Sequence, residues 1–102
     1  MQYEWHEEKA AKNKKKHGVD FEEAKSIFND PKIKIKYDEN NSEEEDRFQA
    51  IGYSEKYRCL FVVFCEYEGE GDDTIRIISA RCAEKFEEKI YSESAKKRTR
   101  IY

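Results

Sequence analysis

The sequence predicts one α+β domain: two N-terminal helices, a four-stranded antiparallel sheet and a C-terminal helix. Three observations predict it. The first third is rich in Lys, Glu and Ala and is punctuated by helix stop and start signals. The middle alternates apolar and polar residues and then becomes apolar throughout, as strands do. The last third returns to a stripe at helical spacing. With 102 residues, the chain makes a single domain over 1–102.

Residues 2–5 read as a short edge strand with Trp5 as an aromatic plug. Glu7 to His17 are good helix formers, and Gly18 stands where a helix stops. Asp20 can cap the next helix, with Glu23 at the third helical position completing a box-like pattern. Phe21, Ala24, Ile27 and Phe28 then share a face, and Pro31 ends the element. In 32–37, Ile33, Ile35 and Tyr37 alternate with Lys32, Lys34 and Lys36, which predicts a half-solvated strand. Residues 38–46 read as an acidic loop and 47–54 as the next strand. Residues 59–65, Cys-Leu-Phe-Val-Val-Phe-Cys, are apolar on both faces and mark the central strand. Gly69, Gly71 and two aspartates make a turn into the strand 74–80. Consecutive strands on short loops should pair antiparallel. Ala83, Phe86 and Ile90 form the stripe of a helix starting near Cys82, and 92–102 read as a flexible basic tail.

Composition excludes several classes. Charged residues make up 42% and apolar residues 37%, so the core is small, and 14% aromatic content argues against disorder. No apolar run approaches the roughly 20 residues of a membrane span, and the start lacks the pattern of a signal peptide. A cytoplasmic protein without membrane partners is expected. Three cysteines without a C-x-x-C pattern fit a reducing compartment. Cys59 and Cys65 would lie about 20 Å apart on one strand, too far for a disulfide. The net charge is −3, yet without the six acids of 38–46 it would be +3. Lys96, Lys97, Arg98 and Arg100 make the tail basic.

No metal site or cofactor is expected. His6 and His17 would be about 16 Å apart on one helix, and no ligand pattern accompanies them. His17 beside Gly18 reads as a helix-end cap or as part of an RNA surface. The four glycines are scattered, so there is no phosphate loop, and no G-x-S-x-G occurs. What remains is a basic constellation with one acid: Arg47, Arg76, Arg81, Glu87 and Tyr91. Arginine forks suit phosphate. RNA supplies its own 2′-hydroxyl nucleophile, so an enzyme need only align it and neutralise the charge that develops. Glu87 reads equally as the acceptor of that proton or as a salt-bridge partner that orients Arg81 or Arg76. Tyr91, four residues on, could stack a base or donate to phosphate. Arg47 could contact RNA or close an ion pair with the acidic loop.

The segment Arg76-Ile77-Ile78-Ser79-Ala80-Arg81, with Ala83, Glu87 and Tyr91 in register behind it, resembles the closing motif of the BrnT toxin family. Tyr3-Glu4-Trp5, Lys9, Asn13, Lys16-His17-Gly18-Val19, Phe21, Ala24 and Asp30-Pro31 resemble its opening, and Glu45-Asp46-Arg47 and Gly52 its middle. The resemblance spans essentially the whole chain. It implies a RelE-like fold and a ribonuclease toxin of a type II toxin–antitoxin pair. It also implies catalytic roles for Arg76, Arg81 and Glu87 and RNA contacts from Lys9, Lys16, Arg47 and Tyr91. For Lys9 and Lys16 a plain solvated helix face is the competing reading. The implied reaction is metal-independent transesterification that inhibits translation. The implied partner is a BrnA-like ribbon-helix-helix antitoxin, through which alone operator DNA would be contacted. His6 stands where the family usually has aspartate, and Cys82, Phe86 and Glu88 stand where basic or polar residues are common. The altered final helix favours the alternative, a non-catalytic antitoxin-binding co-repressor or protein-interaction module.

Overall fold

The computed structural model describes residues 1–68 and 73–96. The expected glycine turn around 69–72 and the tail beyond Lys96 lie outside the described residues. The element order is β1 (Gln2–Glu4), α1 (Glu7–His17), α2 (Phe21–Ser26), β2 (Lys34–Tyr37), β3 (Arg47–Tyr53), β4 (Cys59–Glu68), β5 (Asp73–Cys82) and α3 (Lys85–Lys96). Short 3₁₀ turns follow α2 at Ile27–Asn29 and open the acidic loop at Glu39–Asn41.

The local signals act as read. Gly18 ends α1 in the left-handed region at φ 71°, its N–H bonded to the Lys14 carbonyl at 2.8 Å. Asp20 caps α2 by accepting from the Glu23 N–H at 2.7 Å. The reciprocal half of that box does not form, because the Glu23 carboxylate points instead to Arg58 and Ser54.

The sheet differs from the expected four-stranded antiparallel one. It has five strands in the order β1-β5-β4-β3-β2, with β4 central, and it is mixed. β2, β3, β4 and β5 pair antiparallel, but β1 adds parallel to β5, with Glu4 opposite Arg76. β1 is short and covers only the first half of the β5 edge. Beyond it, the Asn13 side chain of α1 takes the place of a strand. It donates to the Ala80 carbonyl at 2.8 Å and to the Val19 carbonyl at 3.0 Å, and accepts from the Ala80 N–H at 3.1 Å. A buried side-chain amide thus satisfies an edge that would otherwise lie open.

The two sheet faces are covered differently. On one, α1 and α2 bury Val19, Phe21, Ala24 and Ile27 against Ala50, Leu60, Val62, Phe64, Ile75, Ile77 and Ala80. Gly52 lets β3 pass close: a Cβ there would lie 3.1 Å from the Ile27 Cβ. α3 packs on the other face and only at one end, where the Tyr91 ring lies 5.3 Å from that of Tyr53. Lys34, read as solvent-facing, stands opposite Ile51 on this face and is 1% exposed. α3 begins at Lys85 rather than near Cys82, because β5 stays paired with β4 through Cys82 and the Ala83 N–H still bonds to the Cys59 carbonyl. It runs on to Lys96, so residues 92–96, read as tail, are helical.

Candidate functional site

Arg76 and Arg81 are an odd number of residues apart, and in a regular strand such residues point to opposite faces. In β5 they do not. Val63 pairs with Ser79 but Phe64 pairs with Ile77, leaving Ile78 as the extra residue of a β-bulge. The bulge flips the alternation, so Ile75, Ile77 and Ala80 all reach the core while Arg76, Ser79 and Arg81 share the opposite face. Their cross-strand neighbours there are Cys65, Val63 and Phe61 on β4, then Arg47, Gln49 and Ile51 on β3. The face is a three-strand platform with Arg47 and Arg76 flanking Cys65 at one end, Arg81 beside Phe61 at the other, and α3 as its wall. The two ends are four residues of β4 apart, or about 13 Å.

At the α3 end, Arg81 is held on three sides. Both guanidinium arms donate to Glu87, Nη1 to Oε1 at 2.8 Å and Nη2 to Oε2 at 2.9 Å. Nη1 also reaches the Cys82 carbonyl at 3.2 Å, and the guanidinium lies 4.3 Å from the centre of the Phe61 ring. Glu87 is 3% exposed. It sits at the third position of α3, where its Oε1 also accepts the Glu84 N–H at 2.8 Å, half of a capping box. One carboxylate therefore starts the helix and aims the arginine. The pair holds the Arg81 guanidinium pKa above its ordinary value, with burial opposing.

At the other end Arg76 donates to Glu4 at 3.2 Å, a bond that raises its pKa, and lies 5.0 Å from the Tyr67 ring centre. A family model for the ribonuclease toxin BrnT of type II toxin–antitoxin systems matches residues 5–87, which include both arginines and Glu87. The chain belongs to the BrnT family. Among solved structures it is similar to the crystal structure of the Brucella abortus ribonuclease toxin BrnT, with a TM-score of 0.60 and 26% identity over 83% of this chain and 99% of that one. No curated protein matches the chain.

The other expected residues of this BrnT-family chain fall in different places. Arg47 opens β3 in line with Arg76, its Nη2 3.9 Å from Glu45, its Nε buried and without a hydrogen-bond partner among the described residues. Its ion pair with the acidic loop is thus present, though long. Tyr91 gives its hydroxyl to Asp30 at 2.7 Å, and burial with that bond pushes its pKa up. Asp30 also accepts the Tyr53 and Lys32 N–H groups, so Tyr91 ties α3 to the segment before β2 and the end of β3. Lys9 and Lys16 are exposed on α1. Among the described residues no hydrogen bond or ion pair joins them to the arginines.

Sequence reasoning missed three residues. Arg58 donates to buried Glu23 from Nε at 2.7 Å and to the Gly18 carbonyl at 2.9 Å, locking the β3–β4 hairpin onto α2. Tyr67 donates to Glu45 at 2.6 Å, which pushes its hydroxyl up to about 12. Glu45 stood in the sequence as a loop acid and in the Glu45-Asp46-Arg47 resemblance, with no role assigned to it. Alternation along β4 through Phe61, Val63 and Cys65 was the available signal for Tyr67, and the Glu45-Asp46-Arg47 string was the one for Glu45; Arg58 carried none.

Proposed function

We propose that this chain is an endoribonuclease toxin that cleaves RNA on the platform of β3, β4 and β5. The observation that carries this reading is the Arg81 fork, fixed by a buried carboxylate on a sheet face that α3 leaves partly open. In the proposed reaction the 2′-hydroxyl oxygen attacks the adjacent phosphorus in line. The P–O5′ bond breaks, the 2′-hydroxyl proton passes to water and the departing O5′ takes one from water, leaving a 2′,3′-cyclic phosphate and a 5′-hydroxyl. Negative charge grows on the phosphoryl oxygens, and the Arg81 N–H groups not taken by Glu87 or the Cys82 carbonyl, on Nε and the second of Nη2, stabilise it from a guanidinium that is already fixed. Arg81 does this at the reacting phosphate and Arg76 holds the strand further along the platform. Glu87 is a positioning residue, since its oxygens are committed to Arg81 and the Glu84 N–H. The Phe61 ring offers a surface for a splayed base. This chemistry is the metal-independent transesterification that the RelE-like resemblance implies, and cutting RNA would stop translation.

In this reading the toxin is held inactive in the cytoplasm by a cognate BrnA-like ribbon-helix-helix antitoxin, through which operator DNA is contacted. Among the described residues no helix is long and apolar enough to cross a membrane. Phe86, in the first turn of α3 beside Glu87 in sequence and 59% exposed, offers the antitoxin an aromatic anchor. The same exposed ring favours the alternative, a protein-interaction module without catalysis.

Incubating antitoxin-free protein with RNA separates the two. The wild type should leave cyclic-phosphate ends, and a folded Arg76→Ala/Arg81→Ala double variant should not. Losing one such donor costs roughly 10²–10³ in rate. Wild-type cleavage by the double variant would rule out this site. Intact antitoxin binding by a wild type that never cuts RNA would leave the interaction module.

A further inference from the structure

The acidic loop places one carboxylate against the cationic end of the platform. Glu45 accepts the Tyr67 hydroxyl at 2.6 Å and stands 3.9 Å from Arg47. Arg47, Cys65 and Arg76 form one row across three strands, with Tyr67 beside Arg76. The Tyr67 bond holds the Glu45 carboxyl below its ordinary range, helped by the Cys65 thiol and by Arg76 and Arg47. The fit is incomplete. The Arg47 contact is long, and its Nε is buried with no hydrogen-bond partner among the described residues. A buried unpaired donor requires a physical reason, and a carboxylate too small for its cradle supplies one.

We propose that Arg47, Tyr67 and Arg76 form a phosphodiester subsite for the RNA backbone, and that Glu45 sits in it as an internal competitor. The proposal rests on the RNA-cleaving reading above and adds to it a second anchoring point, distinct from Arg81. A phosphodiester carries one negative charge, as Glu45 does, but spreads it over a tetrahedral group. Its oxygens can meet the Tyr67 hydroxyl, Arg47 and the terminal N–H groups of Arg76, whose Nε donates to Glu4. RNA must displace Glu45 to bind, so the loop sets a threshold on affinity. Neighbouring acids act on RNA only through their general field, which salt screens.

The test measures binding to a 2′-O-methyl oligoribonucleotide, which lacks the nucleophile and cannot be cut. Glu45→Ala should bind it about 5–10-fold more tightly than wild type. Its affinity should fall more steeply with salt, by about 0.7 in log–log slope for one added phosphate contact. Glu44→Ala removes the same charge from the same loop and should change affinity less than twofold. In the Glu45→Ala background, Arg47→Ala or Tyr67→Phe should erase the gain. Thermal melts check folding, and Glu45→Gln, which keeps the Tyr67 bond while losing the charge, should show a smaller gain of the same sign. Equal gains from Glu44→Ala and Glu45→Ala would reduce the loop to net charge and overturn the subsite. So would a gain that survives Arg47→Ala, or no gain at all. Cleavage of ordinary RNA is read separately. Tighter binding by Glu45→Ala without any cleavage would leave the subsite standing and remove the nuclease reading instead.

Discussion

Arg81 and Glu87 are one device made of two residues. Glu87 is buried and accepts three hydrogen bonds, so removing its cation strands a charge. Arg81→Ala should therefore destabilise the fold by about 2–3 kcal/mol as well as abolish activity, since the 30% exposure of Arg81 discounts the larger figure for a fully buried pair. Arg81→Lys is the cleaner probe. It keeps the charge beside Glu87 but loses the second arm of the fork. It should melt near the wild type and still cleave at least 10-fold more slowly. Glu87→Gln distinguishes aiming from proton transfer. If Glu87 only aims Arg81, the rate drops while the pH–rate profile keeps its shape. Loss of the profile's acid limb together with most of the rate would make Glu87 the proton acceptor.

Among the elements, α1 is the one whose surface pattern says least about its docking. Its side chains are almost all exposed, and its buried contribution is a single amide, Asn13. That amide closes the edge of β5 where β1 stops, and so fixes the strand that carries both arginines. Asn13→Ala would leave the Ala80 N–H and carbonyl without their side-chain partner. It should lower the unfolding free energy by about 2–3 kcal/mol in denaturant melts. Exposed Lys12→Ala on the same helix should stay within about 0.5 kcal/mol. Equal, small effects would mean that water replaces Asn13 at that edge.

The molecule as a whole is tied together across its cationic platform and its opposite face by long-range charge pairs. Glu23, 1% exposed, receives Arg58 and Ser54 from the hairpin. Its pKa lies below the ordinary 4.5, chiefly because Arg58 bonds the ionised carboxylate, with burial opposing. The stability it contributes is fully present above that ordinary value and is lost as pH falls through the lower folded one. Melting temperature should therefore decline with acid below about pH 4.5. Glu23→Gln should be less stable at neutral pH, by about 2–3 kcal/mol, and its decline with acid should be shallower. An unchanged acid slope would assign the loss to other carboxylates.

What the sequence determined by itself was local. The left-handed stop at Gly18, the cap at Asp20 and the two-faced apolarity of 59–65 depend on propensity and period, which act over a few residues. They were enough for the α+β class and for placing β4 at the centre. The arginines and Glu87 were named by a resemblance instead, that of RIISAR with Glu87 in register behind it to the closing motif of the BrnT family. The tertiary structure decided what spans distance. β1 finds its parallel partner at the far end of the chain, and nothing in three residues specifies it. Arg58 meets Glu23 across a hairpin, and Tyr67 meets Glu45 across a loop. Above all, strict alternation would face the arginines of that short string opposite ways, and the bulge at Ile78 turns them to one side. A pleat has a period of two, so one extra residue reverses every side chain beyond it. Whether that residue is extra depends on the register of β4, which lies elsewhere in the chain.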